Sequence, residues 1–197
     1  MKDMRLVEFT EALASGNPVP GGGSVAALAG SLAAALAGMV SNLTKDCREL
    51  EDVSGKADEL RVRLLDLIEE DSSAFAKVMD AYRMPKGTHE EKDLRRNMIQ
   101  DALKHAADVP MRTAELSYYV MKLSEMVVSF GNRNAVTDGM VSALMARTAV
   151  RASLMNVRVN LSSMKDETYR ERMNLRADEL ENDCRSLEDK IIQGTDL

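Results

Sequence analysis

Apolar residues recur at intervals of three and four along almost the whole chain, and the alternation that marks a strand is nearly absent. Leu6, Phe9 and Leu13 begin the pattern, which breaks at SGNPVPGGGS. From Ser24 to Leu43 no residue is charged, which predicts a helix buried on every side. Asp46–Ser54 is polar and reads as a connection. A long helix is predicted over Lys56–Tyr82, with Ala57, Leu60, Leu64, Leu67, Ile68, Phe75, Val78 and Tyr82 on one stripe, and Pro85-Lys86-Gly87 ends it. Glu90–Ala107 predicts a further helix whose apolar face holds Leu94, Met98, Ala102 and Leu103. Pro110 suits the first turn of the next, which carries Met111, Ala114, Tyr118, Met121, Val127 and Phe130 and closes at Gly131. After a GNRNA loop, Thr137 caps a helix running to about Asn160. The last helix, Asp166–Gln193, repeats Tyr169, Met173, Leu180, Cys184, Leu187 and Ile191 at the spacing of a helix–helix seam. Without a repeat or a dividing linker, residues 1–197 read as one all-α, up-and-down helical bundle.

The uncharged segment is long enough to cross a membrane. It is mostly Ala, Gly and Ser, however, which gain little from hydrocarbon, and it lacks an aromatic belt. A central bundle helix is the better reading. Gly30, Ala34 and Gly38 would form a small-residue row that lets neighbouring axes approach closely. A helix so thoroughly apolar needs more neighbours than one small bundle supplies, so a homodimer packed through its long helices is expected.

Composition narrows the function. The chain has 197 residues, 26 Lys and Arg against 32 Asp and Glu, and a net charge of −6, with no basic cluster to bind nucleic acid. Cys47 and Cys184 form no paired framework, and His89 and His105 have no second ligand at metal spacing. A reducing cytoplasm, no membrane and no metal are the expectations, and MKDMRLVEF lacks the apolar centre of a signal peptide.

Three stretches can carry chemistry. Gly21, Gly23 and Ala26 formally match the dinucleotide fingerprint, with Asp46 twenty residues on, but no strand precedes them. What remains is a glycine bend that lets a ligand approach the backbone, with Ser24 placed to cap the following helix; a simple tight turn is the alternative. Asp71 lies on the apolar stripe between Leu67 and Phe75, where it is either a tuned acid–base group or a satisfied carboxylate bonded to a helix end. In GNRNAVTD and NVRVN, Asn132, Asn134 and Asp138 gather at a helix start, while Asn156 and Asn160 sit one turn apart. Asn156 shares a face with Val141, Met145, Thr148 and Ala152, so its amide is expected to point inward, where amides can satisfy a heterocycle.

Together PVPGGGSVAALAGSLAAALAGMV, DSSAFAKVMDAYRMPKGTHEEK, ADVP, GNRNAVTD and RASLMNVRVNL resemble the cyclodeaminase/cyclohydrolase family over nearly the whole chain. That resemblance implies an all-helical homodimer binding a reduced folate near the subunit interface, with one-carbon chemistry at N5 and N10 and no metal or cofactor. It implies a pocket lined by Gly21, Gly22, Gly23 and Ser24, catalytic carboxylates at Asp71 and Asp138, and substrate contacts from Lys86, Asn132, Asn134, Asn156 and Asn160. Thr137 departs from a frequent Ser but keeps the hydroxyl. PKGTHEEK and RASLMNVRVN look closer to the stand-alone methenyltetrahydrofolate cyclohydrolases than to the cyclodeaminases, which remain the alternative; a non-catalytic scaffold is third.

Overall fold

In the computed structural model, which describes residues 1–193, six α-helices account for the architecture: α1 Leu6–Ala14, α2 Gly22–Asn42, α3 Val53–Arg83, α4 His89–Phe130, α5 Val136–Ser162 and α6 Glu167–Gln193. Among the described residues there is no strand. Short 3-10 turns at Arg48–Leu50 and Arg133–Ala135 break the connections before α3 and α5.

The apolar periodicity explains the layers. α2 packs against α3, α4 and α5, and α6 lies along α4 and α5. Glycine brings the backbones together: a Cβ on Gly30 would lie 2.5 Å from Ser117 Oγ and 3.2 Å from Leu64, and one on Gly38 would touch Ala57. The expected small-residue row is therefore the side of α2 turned toward α3 and α4. Leu64, Ile68, Val120, Met121, Val150, Leu154 and Leu180 fill the resulting core. On α6, Met173, Leu180, Cys184 and Ile191 are buried, and burial pushes the Cys184 thiol up to about 12.

Several expectations change. α2 is not buried on every side within one chain. Val25, Leu32, Met39 and Leu43 are 37–51% exposed and form an uncharged stripe along its front, opposite α4. Although α2 is long and apolar enough to cross a bilayer, 61% of its most apolar window is packed inside the bundle. On α3, Phe75 and Tyr82 face outward rather than joining the core, as do Leu94, Met98 and Phe130 on α4. The face of α5 that carries Val141, Leu144, Thr148, Met155 and Val159 also lies at the surface, so Asn156 does not point into the core and is half-buried at its edge.

The expected helix break at Pro110 does not occur: α4 runs 42 residues through it. Proline has no N–H for the carbonyl one turn back, which is that of Ala106. The side chain of Asn160 donates to that oxygen at 2.7 Å, so the bond lost within α4 is replaced from α5. Thr137 does not cap α5 either, because the helix begins one residue earlier. The Asn132 side chain instead accepts from the Asn134 N–H at 3.0 Å and caps the start of the 3-10 turn. By contrast, Thr88 and Glu91 form a reciprocal capping box at the start of α4.

Candidate active site

The glycine bend meets α3 at Asp71. Pro18 and Pro20 lie in the bends that lead into α2, Gly21 is its N-cap residue in extended backbone, and Gly22 and Gly23 form its first turn. A Cβ on Gly23 would fall 2.1 Å from Asp71 Oδ1, inside any van der Waals limit, so only glycine lets the carboxyl group reach this helix end. Ser24 is fully buried and does not cap its own helix. Its hydroxyl donates to Asp71 Oδ2 at 2.9 Å, and its backbone N–H also bonds that carboxyl group.

Asp71 thus meets the description of a carboxylate bonded to a helix end, and it is also electrostatically tuned. Burial raises its pKa above the ordinary carboxylate value, and the two Ser24 bonds oppose the rise without cancelling it. No cation pairs with it among the described residues. A half-buried carboxyl group held at the positive end of a helix, with no counter-ion, can exchange a proton and can receive a cationic ligand.

α5 forms the other wall. Gly22 lies beside Asn156, whose Nδ2 would be 3.7 Å from a Cβ placed there. That Nδ2 donates to Ala152 O at 2.9 Å. The Asn160 Nδ2 donates to Ala106 O and, at 3.0 Å, to Asn156 O, so its N–H groups serve the bundle. Phe75, one turn beyond Asp71, is an exposed aromatic on the same side of α3.

Within one chain the structure brings together Gly21, Gly22, Gly23, Ser24, Asp71, Asn156 and Asn160, but not the remaining sequence candidates. Asn132 is tied to the opposite end of α2, its Nδ2 donating to Leu43 O at 3.1 Å and its backbone N–H to Thr44 Oγ1 at 2.9 Å. α2 has 21 residues, which separates its two ends by about 30 Å. Asn134 and Asp138 belong to that far end, because α5 runs antiparallel to α2: Ser142 reaches Ala33 O, whereas Asn156 reaches Gly22. Lys86 is exposed beyond the C-terminus of α3.

Sequence reasoning missed the hydrogen bond from Ser24 to Asp71 and the exposure of Phe75. The i,i+4 spacing of Asp71 and Phe75 could have flagged the second, since a solvent-facing aromatic beside a carboxylate is a ligand platform as readily as a core residue. The grooves of about 520 and 400 Å3 between α3 and α4 do not include Asp71; Arg63, Arg112, Tyr119 and Lys122 line the first, and Lys77, Met84, Met98 and His105 the second. Among the described residues, no three His, Cys, Asp or Glu side chains converge as a metal site would require.

The profile of the formiminotransferase-cyclodeaminase family matches residues 5–179. A methenyltetrahydrofolate cyclohydrolase of Methylorubrum extorquens is 40% identical over 170 residues, covering 83% of this chain and 82% of that protein. The formimidoyltransferase-cyclodeaminase of Mus musculus is 31% identical over 185 residues, 90% of this chain and 34% of that protein. The chain therefore spans about a third of that longer relative. The crystal structure of a formiminotetrahydrofolate cyclodeaminase from Thermotoga maritima superposes with a TM-score of 0.85 at 32% identity, covering 98% of each chain.

Proposed function

From its membership of the formiminotransferase-cyclodeaminase family, to which this chain belongs, we propose that the protein is a methenyltetrahydrofolate cyclohydrolase acting as a homodimer. The observation that carries the choice is the 40% identity to a cyclohydrolase of which the chain covers 82%. The formimidoyltransferase-cyclodeaminase of Mus musculus matches over only a third of its own length.

The chemistry suits Asp71. 5,10-Methenyltetrahydrofolate carries a positive amidinium between N5 and N10, and hydrolysis converts it with one water into 10-formyltetrahydrofolate and a proton. A carboxylate without a cationic partner is costly when partly buried, and a cationic substrate relieves that cost while drawing the group into its ionised form. Asp71 then takes a proton from water as the water oxygen bonds to the amidinium carbon. Collapse of the adduct breaks the bond from that carbon to N5 while the adduct's hydroxyl proton passes to N5, leaving the formyl group on N10, N5 as a neutral amine and the proton held by Asp71 as the one released. The Ser24 hydroxyl holds the carboxylate in place throughout. No electron is transferred, so the step needs no redox cofactor. Phe75 offers a face for the pterin, the Asn156 carboxamide a polar edge, and Lys86 a mobile charge for the glutamate tail.

A second reading, the cyclodeaminase, is favoured by the Thermotoga maritima superposition over nearly the full chain. There N10 attacks the formimino carbon carried on N5, and an acid protonates the departing ammonia. One assay separates the two. Loss of the near-ultraviolet absorbance of the methenyl compound on adding enzyme supports hydrolysis. Appearance of that absorbance with ammonia from the 5-formimino compound supports deamination, and silence in both with folded protein rejects each.

The dimer rests on the exposed apolar fronts of α2 and α5. Val25, Leu32 and Met39 recur every seven residues, flanked by half-buried Leu28 and Leu36, and Val141, Leu144, Met155 and Val159 continue the surface on the adjacent helix.

A further inference from the structure

We infer that the groove between α3 and α4 is a second ligand site, separate from Asp71, built for a phosphate monoester carried on a flat ring, as in a nucleoside monophosphate.

The groove encloses about 520 Å3, within the roughly 300–1,000 Å3 of ligand pockets. Half-buried Leu60 and buried Leu116 and Leu123 line it beside the exposed ring of Tyr119. Apolar surface next to an open aromatic face suits a planar ring, and stacking tolerates any base because every base has a π-face. The charge of the groove is the reverse of the molecule's. Lys56, Arg63, Arg112 and Lys122 line it with Glu59 and Glu115, four cations against two carboxylates, in a chain of net charge −6. Glu115 is moreover engaged from α6 by Arg176 at 3.0 Å. Lys122 has no carboxylate partner among the described residues; its ammonium lies 4.6 Å from the centroid of the Tyr118 ring and 5.3 Å from that of Tyr119.

Two arginines fix where the anion sits. Arg63, Arg112 and Leu116 also line an adjoining cavity of about 110 Å3, so both guanidinium groups stand where the two spaces meet. Each holds a carboxylate of α3: Arg63 that of Glu59 at 3.5 Å, and Arg112 that of Glu70. Pairs so open to solvent are weak, and a ligand can exchange for them. A ligand carboxylate would gain little by the exchange, since it offers the same single charge. A phosphate monoester brings a charge of about −1.5 to −2 and three acceptor oxygens to one point, enough to take both planar forks at once. Asp71 is turned toward Gly23 of α2 and lines neither cavity.

Calorimetric titration of the full chain in phosphate-free buffer tests this, with adenosine 5′-monophosphate, adenosine and inorganic phosphate as probes. The monophosphate should bind once per chain, about tenfold or more tighter than either other probe, and more weakly as salt rises. Arg63→Gln and Arg112→Gln should each weaken it about tenfold, whereas Glu70→Gln, which removes the carboxylate competing for Arg112, should tighten it. Tyr119→Ala should weaken the monophosphate and leave inorganic phosphate unchanged. None of these four side chains is buried, so the fold should survive each substitution, which circular dichroism checks. Asp71→Asn should leave the affinity unchanged, a result that does not depend on the reaction catalysed. Equal affinity for adenosine would reduce the groove to an apolar cleft, and equal affinity for inorganic phosphate to a patch of cations; either overturns the proposal. So does the lack of saturation at millimolar monophosphate, binding untouched by Arg63→Gln and Arg112→Gln, or binding lost in Asp71→Asn.

Discussion

Asp71 sets function against stability within one side chain. Below its ordinary value of 3.8 the carboxyl group is protonated in folded and unfolded chains alike and adds nothing to the pH dependence of stability. Above that value the unfolded chain releases its proton first. The folded state then binds more protons, and stability falls as pH rises toward the folded value. Asp71→Asn removes that penalty. It should raise Tm at neutral pH, by an amount that vanishes as pH falls to about 3.8, while turnover drops roughly 10²–10⁴-fold. Thermal melts across pH beside steady-state rates check both halves, and a lower Tm at neutral pH would contradict the assignment. Gly23→Ala places a methyl group against Asp71 Oδ1, so α3 or the bend must move. The expected cost is about 1–3 kcal/mol in urea unfolding, with turnover falling as Asp71 is displaced.

Between elements, the joint of α4 and α5 at Pro110 and Asn160 keeps a 42-residue helix intact. Asn160→Ala strands the buried Ala106 carbonyl and should destabilise the protein by about 1–3 kcal/mol. In a Pro110→Ala background the restored N–H can bond that carbonyl within α4, so the same substitution should cost measurably less. A double-mutant cycle by denaturant unfolding reads the coupling. Additive effects would mean that Asn160 does not act by satisfying Ala106. This device also explains how a proline can lie in the middle of α4 beside the candidate site, since α5 supplies the donor that proline lacks.

At the scale of the whole molecule, the exposed, uncharged front of α2 is the proposed dimer face. Leu32→Glu puts a charge at the centre of the apolar face and should give a folded, helical monomer by light scattering with little turnover; an intact, active dimer would exclude this face as the interface. The helical class and the central place of α2 were legible in the sequence, because apolar spacing and absence of charge are local properties that survive any arrangement of neighbours. So were the glycine bend and Asp71 as two features each out of place for its local context, and the fold brings them into contact. Sequence alone also determined that Asn132, Asn134, Asp138, Asn156 and Asn160 were polar groups awaiting partners. Only the packed bundle decided what they meet: Asn160 the carbonyl freed by Pro110, Asn132 the end of α2, and Asp71 the hydroxyl of Ser24. A helical period tells which residues share a face, but whether that face meets core, water or another chain depends on elements far away in sequence. For that reason Phe75, Tyr82 and the outer stripe of α5 read as core from their spacing and lie at the surface in the fold.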